Sequence, residues 1–169
     1  MGIYGKDTSK HVTLCFYRPE HSAGLSAFYL PEEQKQFTAL PAEVLSESLR
    51  DSNRHPVVIT AGEKPVGFFV LHHGKEIGPF TSNERALLLR AFSIDHVHQG
   101  MGYAKAAMLL LPAFTAKHFP DLTEIVLAVN ARNLAAKRLY EKTGFQDKGI
   151  TRMGKNGLQH VLHYELPKY

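Results

Sequence analysis

Apolar residues run almost unbroken through Ala86-Leu87-Leu88-Leu89-Arg90-Ala91-Phe92-Ser93-Ile94, a pattern that reads as a buried strand. Beyond it, Ala104, Ala107, Met108, Leu111 and Phe114 recur at helical spacing, so Tyr103 to His118 reads as a helix opening at Gly100 and Gly102. Pro112 falls inside that helix and predicts a kink or a shortening, because it lacks the N–H that would bond the Met108 carbonyl. A second strand-then-helix junction follows, with an apolar strand from Glu124 to Val129 and a helix capped by Asn133 and stopped by Gly144. On this helix Asn133, Ala136 and Tyr140 share one face.

The flanks read more simply. His11 to Tyr17 is a first strand, ended by Arg18-Pro19. From Glu20 to Asp51 the pattern is helical but interrupted, with Pro31 ahead of one short helix and Pro41 ahead of another. Val57–Ala61 and Val66–Leu71 form a hairpin across Gly62-Glu63-Lys64-Pro65, and Gly74 to Ser82 is loop. A second hairpin closes the chain, Gly149–Arg152 and Leu158–Leu166 about the turn Gly154-Lys155-Asn156-Gly157.

Length and composition narrow the classes. The 169 residues suit one domain with a sizeable core, residues 1–169, and no apolar stretch is long enough to span a membrane. The start, Met1-Gly2-Ile3-Tyr4-Gly5-Lys6, lacks an apolar signal core, and Lys6 breaks a myristoylation pattern, so a cytoplasmic protein without membrane partners is expected. Cys15 is the single cysteine, which excludes a disulfide framework and a thiolate metal site; it reads as a core residue. The formal charge of +4 comes from scattered Lys and Arg without interleaved aromatics, so no nucleic-acid partner is expected. His72 and His73 would face opposite sides of a strand, His96 and His98 lie in a loop, and no His-Glu-x-x-His pattern occurs; no metal is expected.

Two glycines between a strand and a helix start let backbone approach a ligand, and the free N–H groups there favour an anion such as pyrophosphate. A P-loop would need Lys-Ser or Lys-Thr after the last glycine, where Tyr103-Ala104 stand. A dinucleotide fold would need a third glycine at Lys105 and an acid ending the next strand, whereas Glu124 begins it. What remains is Gln99-x-x-Gly102-x-Ala104, with Gly100 added.

That pattern resembles the acetyl-coenzyme-A loop of the GNAT N-acetyltransferase superfamily. The block Asn133-x-x-Ala136-x-x-Leu139-Tyr140-Glu141-Lys142-x-Gly144-Phe145 resembles the other signature block, and the two occur in the family's order about thirty residues apart. The resemblance implies a single α/β (α+β type) domain with a mixed, mostly antiparallel central sheet, splayed between the two signature strands and flanked by helices. Acetyl-coenzyme A would lie in the splay. Phe92, Ser93 and Ile94 would pair with its pantetheine arm through their main chains. Gln99, Gly100, Met101, Gly102, Tyr103 and Ala104 would bind its pyrophosphate through main-chain N–H groups. Asn133 would hold the pantetheine by its side chain, and Tyr140 would be the catalytic donor to the departing thiolate.

The implied activity is acetyl transfer to a primary amine of a small molecule or peptide by direct attack on the thioester. A non-catalytic acetyl-coenzyme-A sensor is the alternative, and a homodimer is compatible with either. Many relatives carry a Glu on the strand before the glycine loop; here that strand has Arg90 and Ser93, leaving Glu84, His72 or a water chain as the proton path. The acidic stretch Glu20, Glu32, Glu33, Glu43, Glu47 and Asp51 is either a solvated face or a wall that attracts a cationic, polyamine-like acceptor.

Overall fold

Seven strands make one sheet in the computed structural model, which describes residues 11–167. In chain order the elements are β1 (Val12–Phe16), α1 (Ser22–Ser26), α2 (Glu32–Lys35), α3 (Pro41–Arg50), β2 (Arg54–Ala61), β3 (Lys64–His72), β4 (Ala86–Ile94), α4 (Tyr103–His118), β5 (Glu124–Asn130), α5 (Leu134–Lys142), β6 (Gln146–Gly154) and β7 (Gly157–Glu165). The order across the sheet is β1-β2-β3-β4-β5-β7-β6, antiparallel throughout except for the parallel pair β4–β5. The first ten residues, which carry the signal and myristoylation readings, lie outside the described ones.

Strand alternation sends successive side chains to opposite layers. Leu87, Leu89, Ile125 and Leu127 join Met108, Leu111 and Phe145 in the core beneath α4 and α5. On the other face, Val58, Phe68 and Val70 meet Leu25 and Phe28, with Val44 and Leu45 of α3 packed against them. The 74–82 loop also packs: Ile77 is buried with Leu88 and Val126, and Phe80 rests against them. Phe68 and Phe69 are fully buried. Each is worth about 1.5–3 kcal/mol in transfer energy.

Two expectations change. Pro112 does not shorten α4, which runs on to His118; the Thr115 hydroxyl donates to the Pro112 carbonyl at 2.9 Å. The last hairpin is longer than its pattern suggested. β6 begins at Gln146, and its register against β7 shifts between Asp147 and Thr151, around Gly149 at φ +82°. A bulge breaks the period-2 signal on which the sequence reading depends.

The parallel pair matters most for function. β4 and β5 pair only from Ala86 to Leu89 against Glu124 to Leu127. Beyond that the strands part, leaving Arg90–Ile94 and Ala128–Asn130 on the two sides of an opening in the sheet.

Candidate active site

A bulge in β4 shapes the opening. Phe68 pairs Ser93 and Val70 pairs Arg90, so Phe69 alone faces both Ala91 and Phe92. Ala91 takes φ +56°, the only left-handed non-glycine among the described residues. That conformation costs an alanine about 1–2 kcal/mol. Asp95 N–H bonds the Val66 carbonyl at 3.0 Å, so the alternation of the strand also turns the Ser93 main chain to β3. The main chains of Phe92 and Ile94 then face the opening. Their carbonyls already accept the Thr38 hydroxyl at 3.0 Å and the Gln99 amide at 2.9 Å respectively.

The opening continues into a cavity of about 690 Å³. All the expected site residues except Met101 line it: Phe92, Ser93, Ile94, Gln99, Gly100, Gly102, Tyr103, Ala104, Asn133 and Tyr140. Met101 stands outside the lining, 47% exposed. Ser93 contributes a buried hydroxyl without a partner rather than a free strand edge.

Gly100 (φ +77°) and Gly102 (φ +86°) are both left-handed, and a Cβ on either would meet no protein atom within 4 Å. Gly102 precedes α4 and no side chain caps the helix start. The first intrahelical bond recorded there is Ala106 N–H to the Gly102 carbonyl at 3.0 Å, which leaves the preceding N–H groups to a ligand. The Gln99 side chain is taken by its own loop: it exchanges two amide bonds with Gln34 (3.0 and 2.8 Å) besides that to Ile94. It pins the glycine loop to the α2 segment, and its amide is taken up within the protein.

On the other signature helix, Asn133 Oδ1 accepts Ala136 N–H at 3.3 Å and caps α5, leaving the amide nitrogen toward the cavity. Two turns further along the same face, Tyr140 packs edge-on against Phe92 and Phe145 at 6.3 and 5.9 Å between ring centroids. Burial pushes the Tyr140 phenol well above the ordinary tyrosine value, so it stays protonated as a donor.

The proton-path candidates fare differently. Glu84 is exposed in the turn ahead of β4 and does not line the cavity. His72 is 1% exposed; its Nδ1 accepts from Arg90 at 3.1 Å and its Nε2 faces Glu76 at 3.4 Å, so neither nitrogen is open to an amine. Sequence reasoning placed Glu33 only within the acidic stretch, as part of a solvated face or of an attracting wall. Among the described residues it brings the one carboxylate that lines the cavity. Its signal was its place in the segment that Gln34 anchors to Gln99, which no local pattern reports.

Asp51, His72 and Glu76 hold potential metal ligands within 4.8 Å of one another. Arg54 occupies the cationic place among them, 3.3 Å from Asp51 and 3.7 Å from Glu76.

Three histidines set an expected pH response. Burial first, then neighbouring positive charge, holds His21, His55 and His72 below the ordinary imidazole value; His55 Nε2 lies 3.0 Å from His73 Nε2. The fold therefore keeps them neutral while the unfolded chain takes up protons below about pH 6.5. Stability should be full above that pH and fall on acidification through the lowered folded values. Thermal midpoints between pH 8 and pH 5 check this: a flat profile over that range contradicts it.

The model of the acetyltransferase (GNAT) family matches residues 22–145. The chain belongs to the GNAT acetyltransferase family. An uncharacterised N-acetyltransferase of Bacillus subtilis (strain 168), YbbJ, is 50% identical over 159 residues, covering 94% of this chain and 99% of that protein. Among solved structures with the GNAT fold, spermidine N-acetyltransferase from Vibrio cholerae in complex with CoA and spermine superposes with a TM-score of 0.71 at 17% identity, covering 95% of this chain and 98% of that one. The aminoglycoside acetyltransferase AAC(6')-Ib with coenzyme A and kanamycin gives a TM-score of 0.73 at 20% identity, covering 91% and 94%. The family assignment and the mixed, mostly antiparallel sheet flanked by helices agree with the sequence reading, and the protein is an acetyltransferase. No helix among the described residues is long and apolar enough to cross a membrane.

Proposed function

We propose that this GNAT protein transfers acetyl from acetyl-coenzyme A to a primary amine by direct attack on the thioester. The supporting observation is one cavity lined both by an uncapped helix start and by a carboxylate, Glu33. Direct transfer needs both partners in one space. A covalent route through a thiol is disfavoured, since Cys15 lies outside the lining and burial raises its thiol pKa.

Acetyl-coenzyme A, bound, supplies the acetyl group already activated as a thioester. The residues fit it: Gly100 and Gly102 leave an open cradle, and the main-chain N–H groups of Tyr103 and Ala104 offer a pyrophosphate seat. Phe92 and Ile94 present main-chain edges to the pantetheine arm, Asn133 offers its amide nitrogen, and Ile94 N–H is assigned to oxyanion stabilisation. Tyr140 donates a hydrogen bond to the leaving sulfur. Glu33 holds the incoming ammonium and accepts its proton, directly or through water.

Spermine and aminoglycosides are the polycations bound by the two solved relatives; at 17–20% identity those structures extend only the fold to this chain. The acidic stretch adds little in favour of a polycation. Glu20 pairs with Arg18, Glu32 with Lys35, and Glu47 and Asp51 with Arg54, which leaves Glu33 as the one member lining the cavity. One ammonium satisfies Glu33. Should the enzyme dimerise, the edge strand β6, with exposed Ile150 and Met153, is the candidate surface.

An amine panel assayed for thiol release from acetyl-coenzyme A tests the reading. The expected result is thiol released in step with an N-acetylated product. Coenzyme binding without release by any amine would make the protein a sensor instead.

A further inference from the structure

Arg90 is a lining residue of the cavity, and among the described residues its guanidinium has no carboxylate at ion-pair distance. Its single side-chain bond runs from Nη1 to His72 Nδ1 at 3.1 Å. An arginine can only donate, so His72 must present a lone pair at Nδ1 and carry its proton on Nε2, which faces Glu76 at 3.4 Å. The imidazole is thus fixed neutral in one tautomer, as a strut that aims Arg90 without neutralising it.

The acids that might have paired with Arg90 are engaged elsewhere. Glu47, Asp51 and Glu76 lie 3.4, 3.3 and 3.7 Å from Arg54. Burial already strips water from Arg90, since desolvation is the main influence lowering its pKa. A half-buried guanidinium normally finds a carboxylate or phosphate that matches its planar fork. Here the remaining N–H groups find none at ion-pair distance among the described residues.

Arg90 also stands at a particular place. It is the residue before the bulge at Ala91 and Phe92, whose main chain borders the sheet opening. Leu87 and Leu89 point to the α4 layer, so alternation sends Arg90 to the opposite face, with Leu88, away from the α4 layer. A strand rises only about 3.3 Å per residue, so Arg90 is within the length of a small molecule of the bulge.

Granting the N-acetyltransferase reading, we propose that the acceptor is an amino acid: Glu33 takes its ammonium and Arg90 its carboxylate. Glu33 and Arg90, which line one cavity, then each meet an opposite charge on a single zwitterion, while Lys105 stands on the glycine-loop side of that lining. A polyamine would instead bring positive charge up to an unpaired guanidinium.

The test compares free amino acids with their carboxamides in the wild-type protein and in Arg90→Gln and Arg90→Lys. The wild type should favour the free acid in kcat/KM by roughly 30- to 5,000-fold, the range for removing one partner of a buried charge pair. In Arg90→Gln the ratio should fall to about one, and Arg90→Lys should restore part of it. Equal ratios in wild type and Arg90→Gln overturn the proposal, as does a wild-type preference for amides or polyamines. A merely structural arginine would lower both substrates alike and leave the ratio standing. Calorimetric binding of the N-acetylated amino acids to the enzyme–coenzyme A complex gives an arm that needs no turnover. If no amine releases thiol, the acetyltransfer reading fails; product binding that Arg90→Gln abolishes would still establish the carboxylate seat, and absence of product binding would remove it.

Discussion

Gly102→Asp should reduce coenzyme A affinity by about a hundredfold or more while the protein stays folded. The backbone at Gly102 is left-handed at φ +86°, and a Cβ there meets no protein atom within 4 Å. Asp is among the residues that tolerate this conformation, so the cost to the fold is about 1 kcal/mol. The loss falls instead on whatever occupies the open space. A carboxylate at the uncapped start of α4 would satisfy the free N–H groups itself and oppose a pyrophosphate. Two like charges 4 Å apart repel by about 4 kcal/mol at an effective dielectric of 20, more than enough for a hundredfold. Calorimetry with coenzyme A, beside a thermal midpoint, reads both effects. Gly102→Ala is the control: it carries the strain without the charge and should weaken binding far less. Unchanged affinity in Gly102→Asp would remove the pyrophosphate from this loop.

Tyr140→Phe should lower kcat by about ten- to a hundredfold, with coenzyme A affinity within about threefold of wild type. The ring contacts with Phe92 and Phe145 survive the substitution, and only the hydroxyl is lost. Burial holds that phenol above its ordinary value of about 10, while a thiol of the leaving-group type has a pKa of about 8.5. Full proton transfer to the thiolate would therefore run uphill. The hydroxyl acts by donating a hydrogen bond to developing charge, worth about 1.5–3 kcal/mol. For the same reason no alkaline limb from Tyr140 should appear in the pH–rate profile near pH 10. Turnover within twofold of wild type would leave Tyr140 as a core aromatic.

The sequence by itself determined the strand-then-helix junctions, the glycine seat, and the shared face of Asn133 and Tyr140. Each is local. Glycines at Gly100 and Gly102 report a backbone that other residues avoid, and helical spacing places Asn133 and Tyr140 together whatever surrounds them. The family resemblance covered the same residues, which is why the proposed cofactor wall was legible before any fold was known. Gln99 was legible only in part. Its motif placed it in the loop, but its side chain serves Gln34 and Ile94, a role no spacing announces.

Only the tertiary structure decided which residues form the proposed acceptor wall. Arg90 and His72 are eighteen residues apart and meet because β3 and β4 run antiparallel in a register that pairs Val70 with Arg90 and His72 with Leu88. In the sequence Arg90 looked like an interruption of an apolar strand. Arg54, on the neighbouring strand, removes Glu47, Asp51 and Glu76 from the acids that could pair with Arg90. Glu33 reaches the cavity because Gln34 is bonded across 65 residues to Gln99. The bulge at Ala91 depends on β3 supplying one residue where β4 supplies two. Periodicity reports which face a residue takes within its own element. Charge pairing, bulges and the lining of an opening depend on partners from other elements, and their register is set only when the sheet closes.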